Sequence, residues 1–389
     1  MGRNTNKGER QMKYIHLLIK PASSQCNLRC KYCFYEDEAQ NRSKASMGLL
    51  SQENTELLLQ EVFSAIDPNG SISIAFQGGE PTLAGLMYFQ DFVEKARAWK
   101  PSGVSLSFSI QTNGTLLDEE WAAFFRREQF LVGLSMDGFK ETHNLHRVDT
   151  AGKGSWNRVL KAHRILEKHH VEHNSLCVVT SRLARSPELA YRSLKSLGFR
   201  YMQFIACLDP IGKPRGQQAF SLTPEDYGRF LCRLFDLWYA DWEKGDYHSI
   251  RLFDDYIHVL LGDGASTCAT CGRCGAYLVV EGDGSLYPCD FYVLDDWRLG
   301  KLGEKPLQEF AECEKAGAFL RGGAVKPKEC AACPYGIICN GGCKNDWYTD
   351  AEGRQHNYYC AAFRALLEYA LPRMRQIALA EKNARMQRR

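Results

Sequence analysis

Between about residue 13 and residue 240, short apolar runs alternate with amphipathic segments, and this alternation limits the fold more than any other feature of the chain. The runs Tyr14–Lys20, Ser71–Phe76, Val104–Ile110, Leu131–Ser135, Ser175–Val179 and Tyr201–Ile205 are rich in Ile, Leu, Val and Phe and are bounded by Gly or polar residues, which reads as strands. Between them lie the helical segments Asn54–Ala65, Met87–Ala98, Glu119–Arg127, Trp156–His169 and Pro187–Leu197. In the first, Leu57, Leu58, Val62 and Ala65 recur at helical spacing. The pattern predicts the α/β class: six strands in a parallel sheet with helices outside, forming a partial (β/α)6 TIM-like barrel.

After the Ile211–Gly216 stretch the pattern changes. An aromatic-rich helix is expected over Thr223–Ala240, then a Cys-rich region with Gly turns and short strands, then a last helix over about Ala361–Lys382. The expected division is 1–240 for the barrel and 241–389 for the Cys-rich domain with its terminal helix.

Charge excludes some classes of partner. Lys plus Arg (49) against Asp plus Glu (46) leaves a net charge of +3 over 389 residues, too little for a dedicated nucleic-acid binder or a polybasic membrane binder. No run of about 18 apolar residues occurs, so no membrane span is expected. The segment Met1–Lys13 is polar and basic with no apolar core, so it does not read as a secretory signal, and a cytoplasmic monomer is expected. Sixteen cysteines are the compositional outlier. Disulfide-dense proteins are small, secreted and poor in core. This chain has ample core, so thiolates kept for metal are the better account.

Just past the first strand, Cys26, Cys30 and Cys33 form a C-x3-C-x2-C loop with Tyr32 before the last thiol. A structural zinc site takes four protein ligands, and an iron–sulfur cluster usually takes four cysteines. Three thiols leave one iron open to a reactant. A zinc loop completed by a distant His or Cys is the other reading of the spacing alone. The motif resembles the signature of the radical S-adenosylmethionine superfamily. That resemblance implies a 4Fe–4S cluster whose open iron chelates S-adenosylmethionine and cleaves it to a 5′-deoxyadenosyl radical. It also assigns cofactor contacts at successive strand ends: Tyr32, the Gly78-Gly79-Glu80-Pro81 turn, Thr112 and Asn113, Ser135 with Arg147, and Leu208. Each loop has an ordinary alternative, such as a tight turn at 78–81 or a core role for Leu208. Their order on consecutive strand ends is what carries weight.

The carboxyl-terminal region holds Cys268, Cys271, Cys274 and Cys289, then Cys330, Cys333, Cys339 and Cys343 in a C-x2-C-x5-C-x3-C array, then Cys360. This resembles the SPASM pattern, which implies two auxiliary 4Fe–4S clusters, three in all. By that pattern Cys268, Cys274, Cys289 and Cys343 hold one, and Cys330, Cys333, Cys339 and Cys360 hold the other. Cys271 stays open as a replacement for Cys268, and a pair of zinc sites is the alternative for the whole region.

The strings Cys33-Phe34-Tyr35, Phe76-Gln77-Gly78-Gly79-Glu80-Pro81-Thr82-Leu83, Ser135-Met136-Asp137-Gly138 and Tyr287-Pro288-Cys289-Asp290-Phe291-Tyr292 are similar to those of the anaerobic sulfatase-maturating enzymes. The resemblance implies oxidation of one Cys or Ser in an unfolded sulfatase peptide, with a CxPxR or SxPxR-like motif, to Cα-formylglycine. The deoxyadenosyl radical would take a Cβ hydrogen, and Asp290 would take the thiol or hydroxyl proton. Tyr35 and Gln77 are candidates to line the substrate pocket, and a flavodoxin- or ferredoxin-type protein is the expected electron donor. The competing expectations are another SPASM enzyme that crosslinks or epimerises a ribosomal peptide, and a non-catalytic iron–sulfur or zinc protein. The first strand begins near residue 14, which argues against a peptide-leader module ahead of it.

Overall fold

The computed structural model describes residues 11–275 and 277–387; the expectation about the amino-terminal segment falls largely outside them. Six strands run parallel in sequence order: β1 (Met12–Ile19), β2 (Ile66–Phe76), β3 (Ser105–Thr112), β4 (Leu131–Ser135), β5 (His173–Val179) and β6 (Tyr201–Ala206). Helices connect them, so the partial barrel of six β/α units is as expected. Apolar side chains alternate onto the covered face. Ile72, Ile74 and Phe76 of β2 are fully buried, as are Leu58, Leu59 and Val62 of the helix Gln52–Ala65. Phe76 packs edge-on against Phe89 and Phe92 of the next helix, at 4.9 and 5.0 Å between ring centres. Each such burial stabilises by about 1.5–3 kcal/mol. Ser51 caps the helix Gln52–Ala65 by accepting from the Asn54 N–H, and Asp118 caps Glu119–Arg127 by accepting from Glu120 and Trp121.

β2 begins at Ile66, not at Ser71. Asp67-Pro68-Asn69-Gly70 reads as a turn, but Ile66 pairs with Met12 and the ladder resumes at Tyr14–Ser71 after a register shift. Short helices at Phe34–Gln40 and Lys140–His146 and a longer one at Arg251–Leu261 follow from no periodicity noted in the sequence.

The sheet does not stop at the six strands. β7 (Ser249–Ile250) pairs with β6. On the other side β8 (Leu278–Val280) lies parallel to β1, and β9 (Ser285–Tyr287) and β10 (Gly300–Lys301) follow antiparallel. The order is β10-β9-β8-β1-β2-β3-β4-β5-β6-β7, open at both edges. The Cys-rich segment therefore extends the barrel sheet, and the helix Pro224–Glu243 runs through the expected boundary at residue 240. The terminal helix Cys360–Gln387 packs on that helix, with Gly228 against Ala362, where a Cβ would approach the Ala362 Cα to 3.3 Å. Among the described residues, no helix is long and apolar enough to cross a membrane.

A buried ion pair fastens the two regions. Arg42 Nη1 meets Glu281 Oε1 at 2.7 Å, and both side chains are almost wholly enclosed. Arg42 also donates to the Ala45 carbonyl at 2.8 Å. Glu281→Ala leaves that guanidinium buried without its counter-charge, and we expect a loss of about 3–5 kcal/mol. The check is the denaturant midpoint of the variant against that of the parent chain; an unchanged midpoint contradicts the expectation.

Candidate active site

The carboxyl ends of the strands supply the site. After β1 the chain turns through Lys20 to Gln25, with Ser23 in a left-handed conformation, and enters the Cys26–Cys33 loop. Cys33 N-caps the helix Phe34–Gln40. Burial pushes the Cys26 thiol up to about 11, with Glu80 and Cys33 adding to it. Burial likewise takes Cys30 to about 12, with Cys33 and Cys26 adding to it against Arg147. Burial raises the Cys33 thiol too. Three mutually close, desolvated thiols are poor anions alone, and each becomes a thiolate readily only when a cation replaces its proton. That donor set fits the cluster the loop implies.

The loop after β2 presses on this one. Gly78 and Gly79 both have positive φ. A Cβ on Gly79 would stand 2.2 Å from the Gln25 carbonyl oxygen, and one on Gly78 2.6 Å from Lys20 Cγ. Only glycine permits that approach. Glu80 is buried and fully engaged. Its Oε1 accepts from the Thr82 N–H at 3.1 Å and from the Thr82 and Thr112 hydroxyls at 2.6 Å, and its Oε2 accepts from the Asn113 N–H at 2.7 Å. Burial still raises its carboxyl above the usual range. Asn113 Nδ2 donates to Asn27 Oδ1 at 2.8 Å and lies 3.8 Å from Cys26 Sγ. The expected cofactor residues Gly78, Gly79, Glu80, Thr112 and Asn113 thus converge on the first thiol.

Ser135 and Arg147 lie differently from the simple expectation. Ser135 Oγ accepts from Gln111 Nε2 at 3.0 Å. Arg147 turns Nε and Nη2 onto the two oxygens of Asp137, at 2.9 and 3.1 Å, because a buried guanidinium requires a counter-charge. Tyr32 donates to the same Asp137 Oδ2. Asp137 is held below the usual carboxylate range: burial opposes this, but Arg147 and His143 outweigh it. With Nε and one hydrogen of Nη2 so engaged, Nη1 and the second hydrogen of Nη2 are the donors left for another partner. Asp137 as the residue that ties Tyr32 to Arg147 was not foreseen. Leu208 is half-buried in a cleft with Phe34, Asp37, Ile211, Arg215 and Phe291.

A second cluster of side chains gathers around Asp290. The β8–β9 hairpin carries it there, because Lys20 N–H bonds the Val280 carbonyl at 2.8 Å and so fixes the hairpin beside β1. Asp290 is buried. Its Oδ2 accepts from Tyr35 Oη at 2.6 Å and from Gln77 Nε2 at 3.0 Å. Gln77 Nε2 also donates to Tyr35 Oη. Lys20 Nζ lies 3.3 Å from Oδ1 as an ion pair but off the hydrogen-bonding direction, so Oδ1 has no hydrogen-bond donor. Lys20 reaches Glu38 Oε2 at 3.5 Å and sits 4.4 Å over the Tyr35 ring. Burial works against the Lys20 charge, but Asp290 and Glu38 outweigh it and raise its pKa. Burial also pushes the Glu38 carboxyl up, with Lys20 opposing and Asp290 adding to the shift. The expected trio Tyr35, Gln77 and Asp290 meets in space. Lys20 and Glu38 escaped the sequence reading.

Beside Asp290, Cys289 begins the auxiliary thiol sets. Tyr277 Oη donates to Cys289 Sγ at 3.3 Å and accepts from the Asp290 N–H at 3.0 Å. Burial pushes Cys289 up to about 12, with Asp290 and Cys268 adding to it. Cys343 rises through burial, Asp346, Cys268 and Cys289, and Cys274 through burial and Cys268, with Lys344 opposing. Cys268 acts electrostatically on Cys274, Cys289 and Cys343, and Cys271 lies beside Cys268 and donates to the Ala265 carbonyl at 3.2 Å. In the other set burial pushes Cys339 to about 11, with Cys360, Cys330 and Cys333 adding to it. Cysteines of each expected group thus lie near enough to act on one another electrostatically. Cys177 and Cys207 are core residues.

The geometry agrees with what the chain is similar to. The family model described as the radical SAM superfamily matches residues 21–182, and that of the iron–sulfur cluster-binding SPASM domain matches residues 267–334. The chain is 44% identical to the cysteine-type anaerobic sulfatase-maturating enzyme of Clostridium perfringens, over 94% of this chain and 99% of the relative. It is 32% identical to the serine-type enzyme of Klebsiella aerogenes, over 85% of this chain and 79% of the relative. A solved structure of native anSMEcpe with bound AdoMet and a peptide matches with a TM-score of 0.89 at 42% identity, covering 94% of this chain and 99% of that one. Streptococcus suis SuiB, at 16% identity and a TM-score of 0.59, shares the fold. Similarity that spans both cysteine regions at such identity places the chain among the anaerobic sulfatase-maturating enzymes of the radical SAM superfamily.

Proposed function

We propose that this chain oxidises a cysteine in an unfolded sulfatase segment to Cα-formylglycine, with Asp290 as the proton acceptor. The cysteine preference rests on the higher identity to the cysteine-type relative, 44% against 32% for the serine-type one. When bound, the first 4Fe–4S cluster with S-adenosylmethionine supplies the 5′-deoxyadenosyl radical that removes a Cβ hydrogen, and the auxiliary clusters supply an acceptor for the electron that leaves the substrate.

The observation that carries the reading is the asymmetry of Asp290. Its Oδ2 is fixed by Tyr35 and Gln77, while its Oδ1 keeps an unused lone pair. A base needs such an oxygen within reach of the proton it takes. The substrate thiol would give its proton to Oδ1, and loss of Hβ, proton and electron together would leave a thioaldehyde. Water would convert that to the aldehyde and release sulfide. Tyr35 and Gln77 hold the carboxylate in place, and Lys20 stands 3.3 Å from Oδ1 as its counter-charge. The cleft between Phe34 and Phe291, bounded by Leu208 and Ile211, is the proposed path for the peptide. Cys26, Cys30 and Cys33 would hold the first cluster, Cys268, Cys274, Cys289 and Cys343 the second, and Cys330, Cys333, Cys339 and Cys360 the third. A flavodoxin- or ferredoxin-type donor and a monomeric state complete the proposal.

We expect Asp290→Asn to release 5′-deoxyadenosine in the presence of a CxPxR peptide while formylglycine falls at least about a hundredfold, the lower end of general-base effects. Mass spectrometry of the peptide reads the outcome, and parent-level aldehyde in the variant would refute the base. A second variant tests the first cluster. Gly79→Ala drives a Cβ into the Gln25 carbonyl next to Cys26, so iron is expected to fall from about twelve to about eight per chain, with loss of cofactor cleavage. Full iron content and normal cleavage in that variant would show that the close approach is dispensable.

A further inference from the structure

At the opposite end of the barrel from the thiols, two histidines face one another. His163 lies in the helix Trp156–Lys168 and His173 opens β5. His163 is 2% exposed. Its Nδ1 stands 3.0 Å from His173 Nε2. The outer nitrogen of each ring meets a backbone carbonyl: His163 Nε2 is 2.7 Å from the Leu197 oxygen, and His173 Nδ1 is 2.8 Å from the Val171 oxygen. Carbonyl oxygens only accept, so both outer nitrogens must carry hydrogen. Two neutral imidazoles then have no hydrogen left for the contact between them, and two lone pairs point at each other across 3.0 Å.

A third donor closes on the same point. Glu167 Oε1 lies 3.3 Å from His173 Nε2, and the three donor atoms all fall within 4.8 Å of one another. Phe199 stacks on the His163 ring at 4.3 Å and meets His173 edge-on at 5.5 Å, so the rings are fixed by packing. Imidazoles whose outer N–H is held by a carbonyl while the inner nitrogen faces a partner are oriented as metal ligands are. Two nitrogens bound tetrahedrally to zinc at 2.0–2.1 Å stand about 3.3–3.4 Å apart, so a small opening of the pair admits the ion. The carboxylate is half-exposed, which gives the ion a way in and leaves water the fourth position.

We infer that His163, His173 and Glu167 form a site for a divalent cation of the zinc class, which pins the end of the helix Trp156–Lys168 to the start of β5. The inference is independent of the maturase reading, because none of these residues touches the thiols or Asp290. The site is structural, and it lies at the stability end of a barrel rather than at its reactive end.

The test uses the holoenzyme with all its clusters in place, cleared of loose metal by a chelator and then dialysed against micromolar Zn²⁺. Metal analysis is expected to find one zinc per chain beyond that held by Glu167→Gln or His173→Gln, and each variant to retain zinc at least about tenfold less tightly. Glu167 is at the surface, so its variant keeps the fold even where the buried His173 substitution does not. The thermal midpoint of the parent chain should rise with zinc while that of Glu167→Gln stays put. Zinc held as tightly by either variant as by the parent, or not held by the parent at all, overturns the site. The second result would mean that a shared proton fills the gap between the rings.

Discussion

The structure turns on one buried ammonium group. Lys20 follows β1 directly, where the chain leaves the sheet for the thiol loop, and its side chain is enclosed between Asp290 and Glu38. An isolated ammonium in that position would cost several kcal/mol. Two carboxylates offset the cost, but two anions against one cation leave an excess of negative charge. Burial pushes the Glu38 carboxyl up toward its neutral form, which eases that excess. Lys20 thereby gives the buried Asp290 carboxylate its counter-charge at 3.3 Å. The same residue's backbone N–H holds the Val280 carbonyl, so one position both docks the hairpin and pairs with the carboxylate that follows it.

Around the first thiol loop the polar residues mostly hold one another. Both oxygens of Glu80 are spent on Thr82, Thr112 and Asn113, which ties the end of β2 to the end of β3. Arg147, Asp137 and Tyr32 form a comparable knot at the end of β4. A loop that must bring three thiols together has little regular backbone bonding of its own. These knots supply the rigidity that secondary structure does not, and they leave a few donors, such as Arg147 Nη1, unspent. Glu80 therefore fixes the Thr112 hydroxyl and the Asn113 backbone N–H beside the first thiol loop.

The fold was legible wherever a local pattern decides the structure. Strand cores such as Leu131–Ser135 and Tyr201–Ala206, and the helix Glu119–Arg127, follow from runs of apolar residues bounded by polar ones. The cysteine spacings are legible because cluster ligation imposes short, fixed separations. Lys20 and Glu38 were not legible, because their partners are far along the chain: the contact of Tyr35 with Asp290 spans 255 residues. A lysine at a strand end and a glutamate in a short helix look like solvent-facing residues until β8 is known to pair with β1. The onset of β2 at Ile66 was hidden for a similar reason, since only pairing with Met12 overrides the turn signal of Pro68 and Gly70. His163 gave no signal because a histidine on an apolar helix face usually marks a satisfied core residue.

The adjacency of Cys289 and Asp290 has an electrostatic consequence. Removing an electron from a substrate radical while its proton stays would build positive charge in an enclosed site, and removing the proton alone would build negative charge. Under the proposed roles, a proton acceptor one residue from a thiol of the second cluster would let both leave by the same short turn. Tyr277 ties the two together, donating to the Cys289 sulfur and accepting from the Asp290 N–H. A change of charge on either side is therefore felt by the other through one phenol. The short 3-10 turn at Asp290–Tyr292 makes this possible, because it keeps the Cys289 thiol and the Asp290 carboxylate both near the hairpin end while sending one toward the auxiliary set and the other toward Lys20. If Asp290 is the base and Cys289 a cluster ligand, coupling of proton and electron loss would be built into backbone geometry, and the pairing of β8 with β1 would deliver it to the thiol loop.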